Sequence, residues 1–179
     1  MNRRGITLIE LAIVLGIVAI VAVIAIPSYF SIVPHMALKS ETSKVSILFM
    51  QSRMRSISEA KYFRVTFDLD NDTRQFDRGS VVFDAGSGNN VIQWSVEDPA
   101  EKVSDRVDIY ADTSDSLVPP FSGDVVIFRP DGTADTAGHE AVYLRNTPSS
   151  GERYRVKVLG TTGKIGVERW TGGSWDKAF

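Results

Sequence analysis

The sequence predicts an α+β chain: one long N-terminal helix, apolar in its first half and amphipathic in its second, packed on an antiparallel β-sheet globular domain. Three observations lead there. Residues 11–38 contain no Asp, Glu, Lys or Arg, an apolar run long enough to span a membrane. Beyond Pro34, apolar residues return at helical spacing, and from Tyr62 the pattern changes to period two. A helix followed by a succession of strands lays the sheet against the helix, rather than alternating the two.

The apolar helix begins just after Arg3 and Arg4, a basic flank that keeps the short N-terminal end cytoplasmic. Glu10 lies inside the run, one turn from its start. A carboxylate is costly in hydrocarbon, so Glu10 is a functional residue by default. A secretory signal peptide would have a shorter apolar core and a small-residue cleavage site, whereas Val23-Ile24-Ala25 is a poor cleavage match with Pro27 close behind. Gly16, Pro27 and Pro34 mark where the helix is expected to bend or locally melt, since proline removes a backbone hydrogen bond and clashes with the preceding turn. Further on, Ile47, Met50, Met54 and Ile57 form one helical stripe, widened by Val45, Leu48 and Phe49. Lys39, Ser40, Glu41, Lys44 and Ser52 take the other face. The expectation is that the stripe packs on the soluble domain, its methionines acting as core filler.

The strands follow. Phe63, Val65 and Phe67 alternate with Arg64, Thr66 and Asp68, a half-buried strand. Asn71-Asp72 suits a turn, and 74–84 returns as a second strand region. Residues 86–90 read as a flexible loop. Shorter strands are expected at 91–96, 107–111, 125–129 and 141–145, with a long polar connection at 114–123 and a turn at Pro130-Asp131-Gly132-Thr133. Residues 153–159 and 164–170 form a hairpin around Gly160-Thr161-Thr162-Gly163. In its first arm Tyr154, Val156 and Val158 face one way and Arg153, Arg155 and Lys157 the other.

Composition narrows the chemistry. The 179 residues suffice for one anchor helix and one domain. There is no cysteine, which removes disulfides, thiol catalysis and Cys-ligated metals. His139-Glu140 lacks the second histidine of a zinc helix, and neither a Walker loop nor a nucleophile elbow occurs. Asp68-Leu69-Asp70-Asn71-Asp72 places oxygens at alternate positions, but Thr73 and Gly79 stand where a calcium loop needs Gly and Glu, so a turn is the expectation. His35, beside Pro34, reads as a solvated interface residue. No cofactor, metal or enzymatic activity is expected.

Gly5 followed by Ile6-Thr7-Leu8-Ile9-Glu10 resembles the processing site of type IV pilins and type II secretion pseudopilins. The resemblance implies that a prepilin peptidase cuts after Gly5 and N-methylates Ile6, with Glu10 serving filament assembly. Ile6 replaces the more usual Phe or Met, and Pro27 matches the family's helix. Losing residues 1–5 takes away Arg3 and Arg4, leaving 18 Lys+Arg against 22 Asp+Glu, a net charge of −4. The implied divisions are a leader at 1–5, a transmembrane or filament-core helix at 6–26, an amphipathic continuation at 27–61 and a β-rich domain at 62–179. Phe128-Arg129-Pro130-Asp131-Gly132-Thr133 and Thr162-Gly163-Lys164-Ile165, with the helix-to-strand joint at 53–65, resemble the minor pseudopilins of the GspH/FimT type.

The implied partners are other pilin or pseudopilin subunits, the prepilin peptidase, an inner-membrane assembly platform and, before assembly, lipid. The implied location is the bacterial inner membrane, crossed once, with the globular domain periplasmic. Because some FimT relatives bind DNA through C-terminal basic residues, Arg153, Arg155, Lys157 and Lys164 are candidate phosphate contacts. Against that stands the acidic balance of the chain, and the expectation is no DNA binding.

Overall fold

The computed structural model describes residues 7–84, 89–112, 118–136, 138–147 and 151–178. One helix, α1 (Leu8–Glu59), precedes nine strands: β1 (Tyr62–Asp68), β2 (Thr73–Asp84), β3 (Asn89–Lys102), β4 (Val107–Tyr110), β5 (Val125–Phe128), β6 (His139–Asn146), β7 (Arg153–Leu159), β8 (Lys164–Trp170) and β9 (Trp175–Lys177). They form two antiparallel sheets instead of one. The first has the order β3-β2-β1-β5, the second β4-β6-β7-β8-β9.

α1 is a single helix of 52 residues, uninterrupted through Gly16, Pro27 and Pro34. At 1.5 Å per residue it is about 78 Å long. Its C-terminus is closed by Ala60 in the left-handed conformation (φ 50°, ψ 42°), whose N–H donates to the Ser56 carbonyl.

The helix docks by only part of the expected stripe: Val45 and Phe49 are fully buried, but the four residues that define the stripe are not. Ile47, Met50, Met54 and Ile57 are each about half exposed or more. The buried face is Leu38, Thr42, Val45, Phe49, Ser52 and Ser56, all fully covered, at spacings of four, three, four, three and four. The physical reason lies in the small polar residues. Thr42 donates its hydroxyl to the Leu38 carbonyl at 2.8 Å, Ser52 to Leu48 at 2.7 Å and Ser56 to Arg53 at 2.7 Å. Hydroxyls bonded within their own helix leave no buried donor unpaired, and small side chains let the helix backbone approach the strands.

The core lies between that face and the inner sides of both sheets. Phe63, Val65 and Phe67 of β1, Val126 and Phe128 of β5, Val142 and Leu144 of β6, and Tyr154, Val156 and Val158 of β7 all join it. Phe49 stands at the middle, with ring centroids 5.8 Å from Phe67, 5.7 Å from Phe121 and 6.1 Å from Phe128.

One buried ion pair crosses from helix to sheet. Arg74 Nη1 donates to Glu41 Oε2 at 2.9 Å, with both side chains nearly inaccessible, and Arg74 Nη2 reaches Glu101 at 3.0 Å. Glu41, expected on the solvent face, is therefore buried. Burial raises its pKa, but hydrogen bonds from Arg74 and Lys44 outweigh burial and hold the carboxyl below its ordinary value.

β3 is longer than the expected 91–96 because it is an edge strand. Its outer side needs no ladder partner, so the missing N–H of Pro99 leaves no bond unmade. The connection ahead of β5, expected to be polar throughout, contributes buried Val118 and Phe121.

Candidate functional site

Gly5 and Ile6 lie outside the described residues, which begin at Thr7. Thr7 is the N-cap of α1, with extended backbone (φ −78°, ψ 152°). Its hydroxyl accepts from the Glu10 N–H at 3.3 Å, while Glu10 Oε2 accepts from the Thr7 N–H and hydroxyl, each at 3.0 Å. This reciprocal arrangement is a capping box, satisfying two of the helix's orphan donors. The sequence reading singled out Glu10 and missed its partner, although Thr7-Leu8-Ile9-Glu10 carries the Thr-x-x-Glu spacing in plain view.

From Leu8 to Ile26 the helix has a mean hydropathy of 3.0, and none of it is buried. Its 19 residues span about 28 Å, close to the hydrocarbon thickness of a bilayer. Length and composition therefore allow it to cross a membrane. A side chain at Gly16 would meet nothing within 4 Å, so packing within the chain does not explain that glycine.

The family-like stretches of the domain meet at one point under α1. Arg53 donates from Nε to the Gly132 carbonyl at 3.0 Å and from Nη2 to the Thr162 carbonyl at 3.0 Å. One guanidinium thus fastens the helix to the Asp131-Gly132 turn and to the β7–β8 turn. The first turn is set by Asp131, whose Oδ1 accepts from the Thr133 N–H and hydroxyl. Ile57 covers Gly132 so closely that a Cβ there would fall 2.7 Å from its Cδ1.

Gly163 has φ +61°, and a Cβ on it would lie 2.0 Å from the Gly132 carbonyl oxygen. Gly163→Ala is expected to lower stability by about 3 kcal/mol, combining left-handed backbone strain with a backbone clash. Chemical denaturation of the detergent-solubilised chain would measure it; a loss below about 1 kcal/mol would mean that the two turns separate freely.

The four basic candidates share one hairpin but not one environment. Tyr154, Val156 and Val158 point into the core as expected, leaving Arg153, Arg155 and Lys157 on the outer face of the second sheet. Arg153 reaches Asp112 at 3.8 Å. Arg155 is buried, donates to Glu168 at 2.6 and 2.7 Å, and stacks over Trp175 at 4.5 Å. Lys157 pairs with the same Glu168. Burial raises the Glu168 pKa, but hydrogen bonds from Lys157 and Arg155 outweigh burial and keep the carboxylate ionised. Lys164 is exposed.

Among the described residues no group of three His, Cys, Asp or Glu could hold a metal. Asp68 closes a turn, accepting from the N–H groups of Asp70 and Asn71. His35 contacts Glu152 instead of standing free, and His139 is exposed at the start of β6.

A family model for the prokaryotic N-terminal methylation motif matches residues 1–26. No curated protein sequence matches the chain. Among solved structures, the minor pseudopilin EpsH from the type 2 secretion system of Vibrio cholerae is similar, with a TM-score of 0.51 and 13% identity over 76% of this chain and 98% of that one. A second Vibrio cholerae EpsH structure aligns at 0.44 with 11% identity, over 73% and 92% of the two chains. The chain thus carries an N-terminal methylation motif that includes its apolar helix, and its fold is similar to that of the minor pseudopilin EpsH.

Proposed function

We propose that the chain is a minor pseudopilin, a structural subunit of a type II secretion pseudopilus or a type IV pilus. A prepilin peptidase cuts after Gly5 and methylates Ile6. The mature chain then waits in the inner membrane with its domain in the periplasm, until the assembly platform draws it into a helical filament. The observation that carries this reading is the wholly exposed apolar helix with Glu10 in its first turn, all of it within the residues that match the methylation motif. Such a helix needs a solvent other than water, first lipid and then the helices of neighbouring subunits. Glu10 pairs with the Ile6 amine of a neighbour, which offsets the penalty of a lone charge in an apolar bundle. Gly16 and Pro27 are the places where a helix under such packing unwinds most readily. The secretion-system branch draws support from the fold likeness to EpsH.

The DNA-receptor alternative has less support. Glu168 already engages both Arg155 and Lys157, and phosphate would have to displace this half-buried carboxylate to reach them.

Mass spectrometry of membrane-extracted protein tests the central claim. The mature chain is expected to start at N-methylated Ile6, and Gly5→Ala is expected to retain residues 1–5 in most molecules. A chain beginning at Met1, or one cut near Ile26, would overturn the pilin reading.

A further inference from the structure

Between α1 and the end of the second sheet runs a groove of about 720 Å³. Ile47 and Met50, each about half exposed, line its helix side, and Ile165 of β8 lines its sheet side. Three ammonium groups, those of Lys157, Lys164 and Lys177, and one carboxylate, that of Glu168, complete the lining. Glu168 engages Lys157. Lys164 and Lys177 are exposed, and among the described residues neither has an ion-pair partner. An apolar floor thus carries two unmatched positive charges at its rim.

The sheet side is also an unpaired edge. β9 pairs with Glu168, Arg169 and Trp170 of β8, and a further bond runs from the Ala178 N–H to the Val167 carbonyl. Ile165 comes two residues before Val167, so its backbone groups point to that same side of β8. Among the described residues no strand pairs with it there. Unpaired edge groups are a template for another polypeptide.

We propose that this groove docks an acidic segment of a protein other than this chain, its apolar side chains on Ile47, Met50 and Ile165 and its carboxylates on Lys164 and Lys177. The proposal deepens the subunit reading above and rests on it, since a minor subunit has other proteins, not copies of itself, as its neighbours. A membrane surface lies out of reach. Ser43, where the groove begins on α1, is about 26 Å along the helix from Ile26 at the end of the apolar span, and the screening length at physiological salt is about 8 Å. Nucleic acid fits less well: no aromatic ring lines the groove for a base to stack on, and phosphates would leave the apolar floor uncovered.

A photoreactive side chain in the groove tests this. Met50→p-benzoylphenylalanine is introduced into the full chain in cells where it assembles, and after irradiation the linked peptide is sequenced by mass spectrometry. The expected product is one segment of a different protein, with two or more Asp or Glu within a strand's length of the link, about six residues. K164E with K177E is expected to lower the yield about fivefold, the order that two exposed charge pairs supply. Lysines in place of the captured carboxylates are expected to restore it. The same probe at Val96, exposed on β3, is expected not to capture that segment. A link to a second copy, to lipid or to nucleic acid overturns the proposal. So does a captured segment without acidic residues, a yield indifferent to the charge reversals, capture of the same segment from Val96, or no link at all. The start of the mature chain is read separately: if it is not Ile6, the function proposed above fails, whatever the cross-link.

Discussion

Phe49→Ala is expected to lower the stability of the globular domain by about 4 kcal/mol, the middle of the range for a buried aromatic. Phe49 is fully buried on the docking face of α1, and its ring meets Phe67 of β1, Phe121 before β5 and Phe128 of β5. Two of those contacts are edge-on, an arrangement worth about 1 kcal/mol each beyond area burial. The cavity cannot collapse easily, because α1 is pinned on either side of it by the Glu41–Arg74 pair and by Arg53. Denaturant titration of the detergent-solubilised chain, followed by far-ultraviolet circular dichroism, gives the number. Met54→Ala is the matched control: Met54 is 70% exposed and is expected to change stability by no more than about 0.5 kcal/mol. Equal losses for the two variants would place Met54 in the core beside Phe49 and overturn the docking face described here.

Glu10→Val is expected to insert into the membrane at least as well as the natural chain and yet fail to enter filaments. The substitution removes the one charge of the apolar helix, so insertion gains. Both bonds to Thr7 use Oε2, and among the described residues Oε1 has no partner. The carboxylate can therefore keep its cap and still receive an amine from a neighbouring subunit. Sedimentation of sheared filaments, with membrane fractionation as the control for insertion, separates the two effects. Filament content equal to that of the natural chain would remove Glu10 from assembly altogether.

Much of the architecture is legible in the residues, and the parts that are not have physical causes. Period-two alternation locates β1 with its buried Phe63, Val65 and Phe67, and the β7–β8 hairpin falls at the expected residues, because both are strands with one dry face and one polar face. β9 leaves little trace, since three residues, two of them exposed, carry no pattern. The division into two sheets is also hidden, because both pack on the same helix and alternation within a strand does not say which strands are neighbours.

The docking face of α1 is the instructive error. A search for large apolar side chains at helical spacing finds Ile47, Met50, Met54 and Ile57. The helix buries Thr42, Ser52 and Ser56 instead, because hydroxyls bonded to their own backbone behave as small apolar groups. At the N-terminus the Gly5 and Glu10 signature is readable as residues, and so is the Thr-x-x-Glu spacing that makes Thr7 the cap, confirmed by its three bonds to Glu10.

An unbroken α1 also acts as a drive shaft. The domain grips it from Leu38 to Ser56, while the bare turns from Leu8 to Ile26 are left for lipid or neighbouring helices. While α1 stays unbroken through Pro27 and Pro34, the angle at which the apolar end seats decides which way the domain faces. One residue added between those two regions would turn the domain by about 100° and lift it by about 1.5 Å relative to the apolar end, while leaving every contact inside the domain intact. The phase of the helix, set by nothing more than a count of residues, is thereby part of the code for how one subunit follows another.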